Sequence, residues 1–148
     1  MITSNKEILL IEQFEGFRPA MYKDAVGLPT IGYGTLIDTV EEQWLKTATI
    51  TKDQAEVLLR KELGSIERNI NLMVTGKINQ NQFDALVSFC YNLGSNSLRT
   101  STLLKKINVN PVDKAIKTEF QKWVHAGGKV LTGLVNRRNA EAELYFQP

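Results

Sequence analysis

Residues 15–34 read EGFRPAMYKDAVGLPTIGYG. The stretch holds four of the chain's ten glycines and two of its four prolines, together with Glu15, Asp24 and Thr30. Proline lacks the donor a helix needs and glycine carries a large backbone entropy cost, so this segment cannot continue a helix. It reads as turns and short strands. The segment before it, SNKEILLIEQFEG, is of the opposite kind. Ser4 is followed three residues later by Glu7, and Leu10, Ile11 and Phe14 fall on one helical stripe, which predicts a capped helix ending near Gly16. A helix end therefore runs straight into a set of turns, with Glu15 at the junction.

Downstream, TLIDTVEEQWLKTATI has β-branched residues but little helical period and is expected to complete a small hairpin sheet and then run as a loop. Thr51 and Gln54 form a second capping pattern, and Ala55, Leu58, Leu59, Leu63, Ile66, Ile70 and Met73 recur mostly at threes and fours, predicting one long helix with a bend at Gly64. Asn79 and Gln82 open a further helix closed by Gly94, and STLLKKIN is a shorter one. Pro111 suits the first turn of PVDKAIKTEFQKWV, Gly127 and Gly128 break that helix, and LVNRRNAEAELYF forms the last. The whole is a mostly helical α+β chain. It is expected to form a single domain over residues 1–148, with a sheet-containing lobe at about 15–50, a connecting helix at about 52–74 and a helical lobe at about 75–148, a cleft lying between the lobes.

Composition narrows the function. At 43% hydrophobic and 23% charged residues, the chain can build one ordinary core. No apolar run approaches the roughly 18 to 20 residues of a membrane span; ILLI at 8–11 is stopped at once by Glu12. No signal peptide or anchor is expected. The lone Cys90 stands among apolar residues at helical spacing and reads as a buried thiol. Residues 1–74 carry eight Lys or Arg against eleven Asp or Glu, whereas residues 75–148 carry ten against five. The basic second half could be drawn to an anionic polymer such as a bacterial wall, although lysines that merely keep a protein soluble are as common. Nucleic acid fits less well, because no basic run is interleaved with aromatics and no basic recognition helix stands out.

Three residues of the opening stretch could carry chemistry. Glu15 lies in the last turn of its helix, where the dipole gives a carboxylate no help, and partial burial against Phe14 and Phe17 would also favour a side chain that keeps a proton to donate. Asp24 stands in a polar turn beside Lys23, a setting that favours the ionised form a general base needs. Thr30 follows Pro29 and precedes two glycines, so its hydroxyl is held firmly enough to hold a water. Taken singly, each has a plainer reading as a helix-end, turn or strand residue. The Gly-x-Gly at 32–34 is no dinucleotide fingerprint, since Ile37 occupies the place of its third glycine.

Taken together, the order Glu15, Asp24, Thr30, carried by EGFR, YKD and TIGYG, resembles the catalytic segment of the phage-type lysozymes, family 24 of the glycoside hydrolases. INQNQFDALVSFCYNLG, STLLKKIN and WVHAGGKVLTGLVNRRNAEAEL are similar to further blocks of its lambdoid branch, so the likeness runs through nearly the whole chain. The resemblance implies a lysozyme-like fold and hydrolysis of the β-1,4 bond between N-acetylmuramic acid and N-acetylglucosamine in peptidoglycan, for lysis of a bacterium by a phage or prophage. Glu15 would be the general acid, and Asp24 with Thr30 would activate a water on the far face of the sugar, giving inversion. No metal or cofactor is expected. Arg18 would brace the loop, and Arg137, with Arg138 as competitor, would pair with Glu15, the alternative for either being an exposed charge at a helix start. His125, the only histidine, is expected at the surface or in a turn.

In two respects the chain departs from its relatives. Thr35 stands where many carry a histidine that pairs with a carboxylate on the connecting helix, and several lambdoid relatives begin with a signal-anchor whereas this sequence starts at the first helix. The expectation is a monomer without stable membrane insertion, held in the host cytoplasm until lysis and reaching the periplasm and wall through a separate holin. The terminal ELYFQP, similar to the ends of related chains, is read as native. Two competing functions are a lytic transglycosylase, which needs only the acid, and a wall-binding or membrane-disrupting protein that cleaves no bond.

Overall fold

A computed structural model describes residues 1–148. In chain order the elements are α1 (Asn5–Glu15), β1 (Arg18–Lys23), β2 (Pro29–Gly32), β3 (Thr35–Leu36), a 3-10 helix (Val40–Lys46), α2 (Lys52–Met73), α3 (Gln80–Leu93), α4 (Ser95–Arg99), α5 (Thr102–Val109), α6 (Ile116–Gln121), β4 (His125–Ala126), β5 (Lys129–Val130) and α7 (Thr132–Tyr145). This is the α+β class expected. Two compact units emerge, one of residues Asn5–Ser65 and one of Met1–Ser4 with Ile66–Pro148, the boundary falling inside α2.

In the first unit the glycines and prolines do what the sequence suggested. Gly16 takes φ +71° and donates to Glu12 O at 3.0 Å, ending α1 with a left-handed cap immediately after Glu15. β1, β2 and β3 then form an antiparallel sheet in that order, with Tyr22 opposite Thr30 and Thr30 opposite Leu36. Ile8, Ile11, Ile31, Tyr33, Ile37, Leu45 and Ile50 make its core with Ala55, Leu59 and Leu63 of α2. The helix starts on a reciprocal cap, Thr51 N–H donating to Gln54 Oε1 at 2.9 Å and Gln54 N–H to Thr51 Oγ1 at 3.1 Å. The segment read as a loop contains the 3-10 helix Val40–Lys46, which a 3.6-residue pattern cannot reveal, because a three-residue turn anchored by one buried side chain, Leu45, leaves no such period.

The second unit is helical around α3, whose residues 82–90 are all buried and whose start is the Asn79–Gln82 capping box. Phe89 meets Phe120 at 5.9 Å and Trp123 at 5.5 Å, both edge to face, and Phe120 meets Tyr145 at 5.7 Å. Within this apolar cluster Glu141 accepts from Arg138 Nη2 at 2.7 Å and from Ser88 Oγ at 2.9 Å. The N-terminal residues belong here because Thr3 donates twice to Glu67 and Ser4 twice to Asp84.

Two local expectations are corrected in this unit. Pro111 does not open a helix: residues 111–115 form turns in which the Asn110 and Asp113 side chains accept from Val112 and Ala115 N–H, and α6 begins at Ile116. Gly127 and Gly128, with φ +58° and +78°, do more than stop a helix, since two successive positive φ angles are those of a tight hairpin turn and here they join β4 to β5. Cys90 is a buried thiol as expected, and burial pushes it up to about 12.

The sheet sits on α2 through one glycine. Gly32 has φ +66°, and a Cβ added there would lie 3.0 Å from Ala55 Cβ and 3.4 Å from Ile50 Cδ1. Gly32→Ala combines a left-handed backbone penalty with overpacking, and should lower unfolding stability by about 2–4 kcal/mol in urea titration. A variant within about 0.5 kcal/mol of wild type would show that the sheet can lift from the helix without cost.

Candidate active site

Asp24 and Thr30 are locked together by one residue between them. The loop joining β1 to β2 closes when Asp24 N–H donates to Leu28 O at 2.9 Å and Gly27 N–H donates to Asp24 O at 2.9 Å, with Gly27 at φ +85°. The Asp24 side chain then folds over its own loop, Oδ1 accepting from Val26 N–H at 3.0 Å and Leu28 N–H at 2.9 Å. Thr30 Oγ1 donates to Leu28 O at 3.0 Å, and Thr30 is only 2% exposed. The Leu28 peptide thus donates to the carboxylate and accepts from the hydroxyl.

Two chemical consequences follow. Both backbone donors use Oδ1 of Asp24, which orients the half-buried carboxylate. With its proton given to a carbonyl, the Thr30 hydroxyl presents only lone pairs to anything else, so a water bound there must donate to it.

Glu15 ends α1 immediately before the Gly16 cap and is half-buried. Its electrostatic link to the loop passes through Tyr22, which lies opposite Thr30 in the sheet. Burial pushes the Tyr22 phenol up, Glu15 and Asp24 add to the rise, and Arg18, whose Cζ lies 4.4 Å above the ring, opposes it. One phenol therefore senses both carboxylates. Tyr22 escaped notice in the sequence, although its place two residues before Asp24 in YKD puts it on a strand beside the loop.

Glu62 of α2 is a second unanticipated acid in the same unit. Burial, followed by the charges of Asp38, Glu15 and Glu42, raises it to about 7. Thr35, standing where relatives were expected to differ, is buried with its Oγ1 unpaired. In the other unit, Arg137 and Arg138 are 7% and 0% exposed, which excludes the exposed-charge alternative. Arg138 is committed to Glu141, and Arg137 Nε lies 3.7 Å from the same carboxylate. His125 is exposed on the β4–β5 hairpin.

Residues 12–141 match the sequence profile of the family described as Phage lysozyme. The chain belongs to the phage lysozyme family. It is similar to an endolysin of Acyrthosiphon pisum secondary endosymbiont phage 1, at 37% identity over 98% of both proteins. An endolysin of Bacillus phage B103 is 39% identical over 99% of this chain, which spans about half, 54%, of that protein. Among solved structures, a mutant lysozyme of phage P22 superposes with a TM-score of 0.87 at 31% identity, covering 99% of each chain. The lysozyme-like α+β fold expected from the sequence is therefore the one the chain adopts, and its family acts as lysozyme-type glycosidases.

Glu62 makes stability depend on pH in a direction opposite to most carboxylates. Folding raises it from an ordinary value near 4.5 to about 7, so between those values the folded chain holds a proton that the unfolded chain has released. Its stabilising contribution is complete below the lower value and is lost as pH rises through the higher. Glu62→Gln, which keeps the shape and cannot ionise, should match wild type at pH 4 and exceed it by about 2–3 kcal/mol at pH 8.5 in urea unfolding. Parallel stability curves for the two proteins would refute this.

Proposed function

We propose that this chain hydrolyses the β-1,4 bond between N-acetylmuramic acid and N-acetylglucosamine in peptidoglycan, by an inverting mechanism, and so lyses a bacterium for a phage or prophage. Family membership and the endolysin relatives support the substrate and the lytic purpose. The observation that carries the mechanism is the Leu28 bridge, which couples one carboxylate oxygen and one acceptor hydroxyl on a single rigid loop.

Glu15 delivers its proton to the glycosidic oxygen as the C1–O bond breaks. A water on the opposite face of the sugar donates one hydrogen bond to Thr30 Oγ1 and gives its other proton to Asp24, while its oxygen bonds to C1. Each carboxyl changes its protonation once, and the product has the opposite anomeric configuration. This assignment requires about 6.5–9.5 Å between the two carboxyls, the room an attacking water needs. Fixing the acceptors before the reaction removes part of the entropy of bringing water to the sugar. Arg18, stacked on Tyr22, and Arg137, beside Glu141, serve as supporting residues. Residues 1–148 work as one monomeric catalytic domain, held in the host cytoplasm until a separate holin opens the way to the periplasm and wall.

Turbidity loss of purified cell walls tests the assignment. Glu15→Gln and Asp24→Asn should each lose on the order of a hundredfold or more, since each removes one of the two proton transfers. Proton NMR of early products should show a reducing muramic acid end with inverted configuration. A 1,6-anhydro product with an active Asp24→Asn enzyme would instead mark a transglycosylase, and full lysis by Glu15→Gln would mark a protein that kills without cleavage.

A further inference from the structure

Thr30 is the middle of a row that crosses all three strands of the first sheet. Tyr22 of β1 stands opposite it on one side and Leu36 of β3 on the other. Residues directly opposite in antiparallel strands put their side chains on one face, with Cβ atoms about 4.5–5.5 Å apart, so the Thr30 side chain lies between a phenol ring and an isobutyl group. Exposure follows the same order. Thr30 is 2% exposed, whereas Tyr22 is half-buried and Leu36 is 38% exposed. The two large side chains stand as walls, and the threonine is the floor between them.

Floor and walls are each held in place. Thr30 Oγ1 donates to Leu28 O at 3.0 Å, so the hydroxyl does not turn aside to make room. Arg18 lies over the Tyr22 ring with its Cζ 4.4 Å from the centroid, a cation–π contact that covers one face of the ring. β3 is tied to β2 next to Leu36, where Ile37 N–H donates to Pro29 O at 2.9 Å. A recessed acceptor between two such walls has room for something the size of water. A methyl group on the incoming oxygen would need volume that the phenol and isobutyl groups fill, and packed side chains do not yield that volume without cost.

We propose that Tyr22 and Leu36 are specificity-determining residues that select the nucleophile, forming a niche over Thr30 that admits water and excludes any alcohol. This rests on the hydrolytic reading above and adds to it which molecule attacks. Competing nucleophiles are abundant in a cell wall, because every glycan strand carries sugar hydroxyl groups. A hydroxyl of a second strand attacking in place of water would give its proton to Asp24 and bond its oxygen to C1, while Glu15 protonates the leaving sugar. One glycosidic bond would then break as another forms, and the wall would keep its number of links. With the niche closed to alcohols, each turnover removes a link.

The test is digestion of purified walls in aqueous methanol, the smallest alcohol, with reducing ends and methyl glycosides counted separately by mass spectrometry. Methanol takes the place of water in the same step, its proton going to Asp24 and its oxygen to C1. Wild type should give reducing ends and almost no methyl glycoside. Leu36→Ala and Tyr22→Ala should raise the ratio of methyl glycoside to reducing ends by about tenfold or more, the discrimination that one methylene commonly carries in a closed pocket. Leu36→Val, a milder change, should raise it less. Tyr22→Phe and Leu36→Ile, which keep the ring and the volume, should stay at the wild-type ratio. Both products come from one reaction, so a slower or less stable variant still reports. Methyl glycoside from wild type in proportion to the methanol present, or an unchanged ratio in the alanine and valine variants, overturns the proposal. A rise in Tyr22→Phe equal to that in Tyr22→Ala also overturns it, since the effect then belongs to the hydroxyl and not to the wall. A 1,6-anhydro end from wild type without methanol would overturn the hydrolytic reading instead, so the two failures are distinct.

Discussion

The close approach of Gly32 to Ala55 is the constraint on which the sheet-bearing unit depends. A backbone with no side chain, at a φ that other residues resist, lets β2 lie directly on the first turns of α2. Thr30 stands two residues upstream on the same strand, and Thr35 opens the next strand opposite Ile31. Both threonines are buried, at 2% and 6% exposure.

Three carboxylates show how differently burial can be handled within one small chain. Asp24 has two backbone N–H donors on a single oxygen and needs no cation. Glu141 lies in an aromatic core and is raised by its burial, while Arg138, Ser88 and Arg137 pull it back towards the charged form. Both of its hydrogen bonds and both of its ion pairs use Oε1 and Oε2 is buried without a partner, so the Arg138 contact, the shortest of them at 2.7 Å, is the one whose loss would cost most. Glu62 has neither arrangement, and the carboxylates around it make matters worse. Of the three, Glu62 is the one whose protonation changes near neutral pH.

Much of the architecture was legible beforehand because it rests on local rules. The cap at Thr51 and Gln54, the box at Asn79 and Gln82, and the stripe of Ala55, Leu63 and Ile70 are consequences of neighbouring residues three or four positions apart. The 3-10 helix and the β4–β5 hairpin were missed for a related reason. Their elements are too short to establish a period, and their stability comes from one buried leucine in the first case and two glycines in the second.

Order and spacing of Glu15, Asp24 and Thr30 were enough to single out those residues and the family, since the residue types and turn-forming glycines are written along one continuous stretch. The sequence could not say that the Leu28 peptide joins two of them, that Tyr22 senses both acids, or that Glu62 and Asp38 meet Thr35 around one cavity. The last of those relations depends on strand register and on the rotation of α2 against the sheet, which bring together groups up to twenty-seven positions apart, from Thr35 to Glu62. Local chemistry is a property of neighbours along the chain, whereas desolvation and the charges that face a buried group are properties of neighbours in space. Only folding chooses the latter.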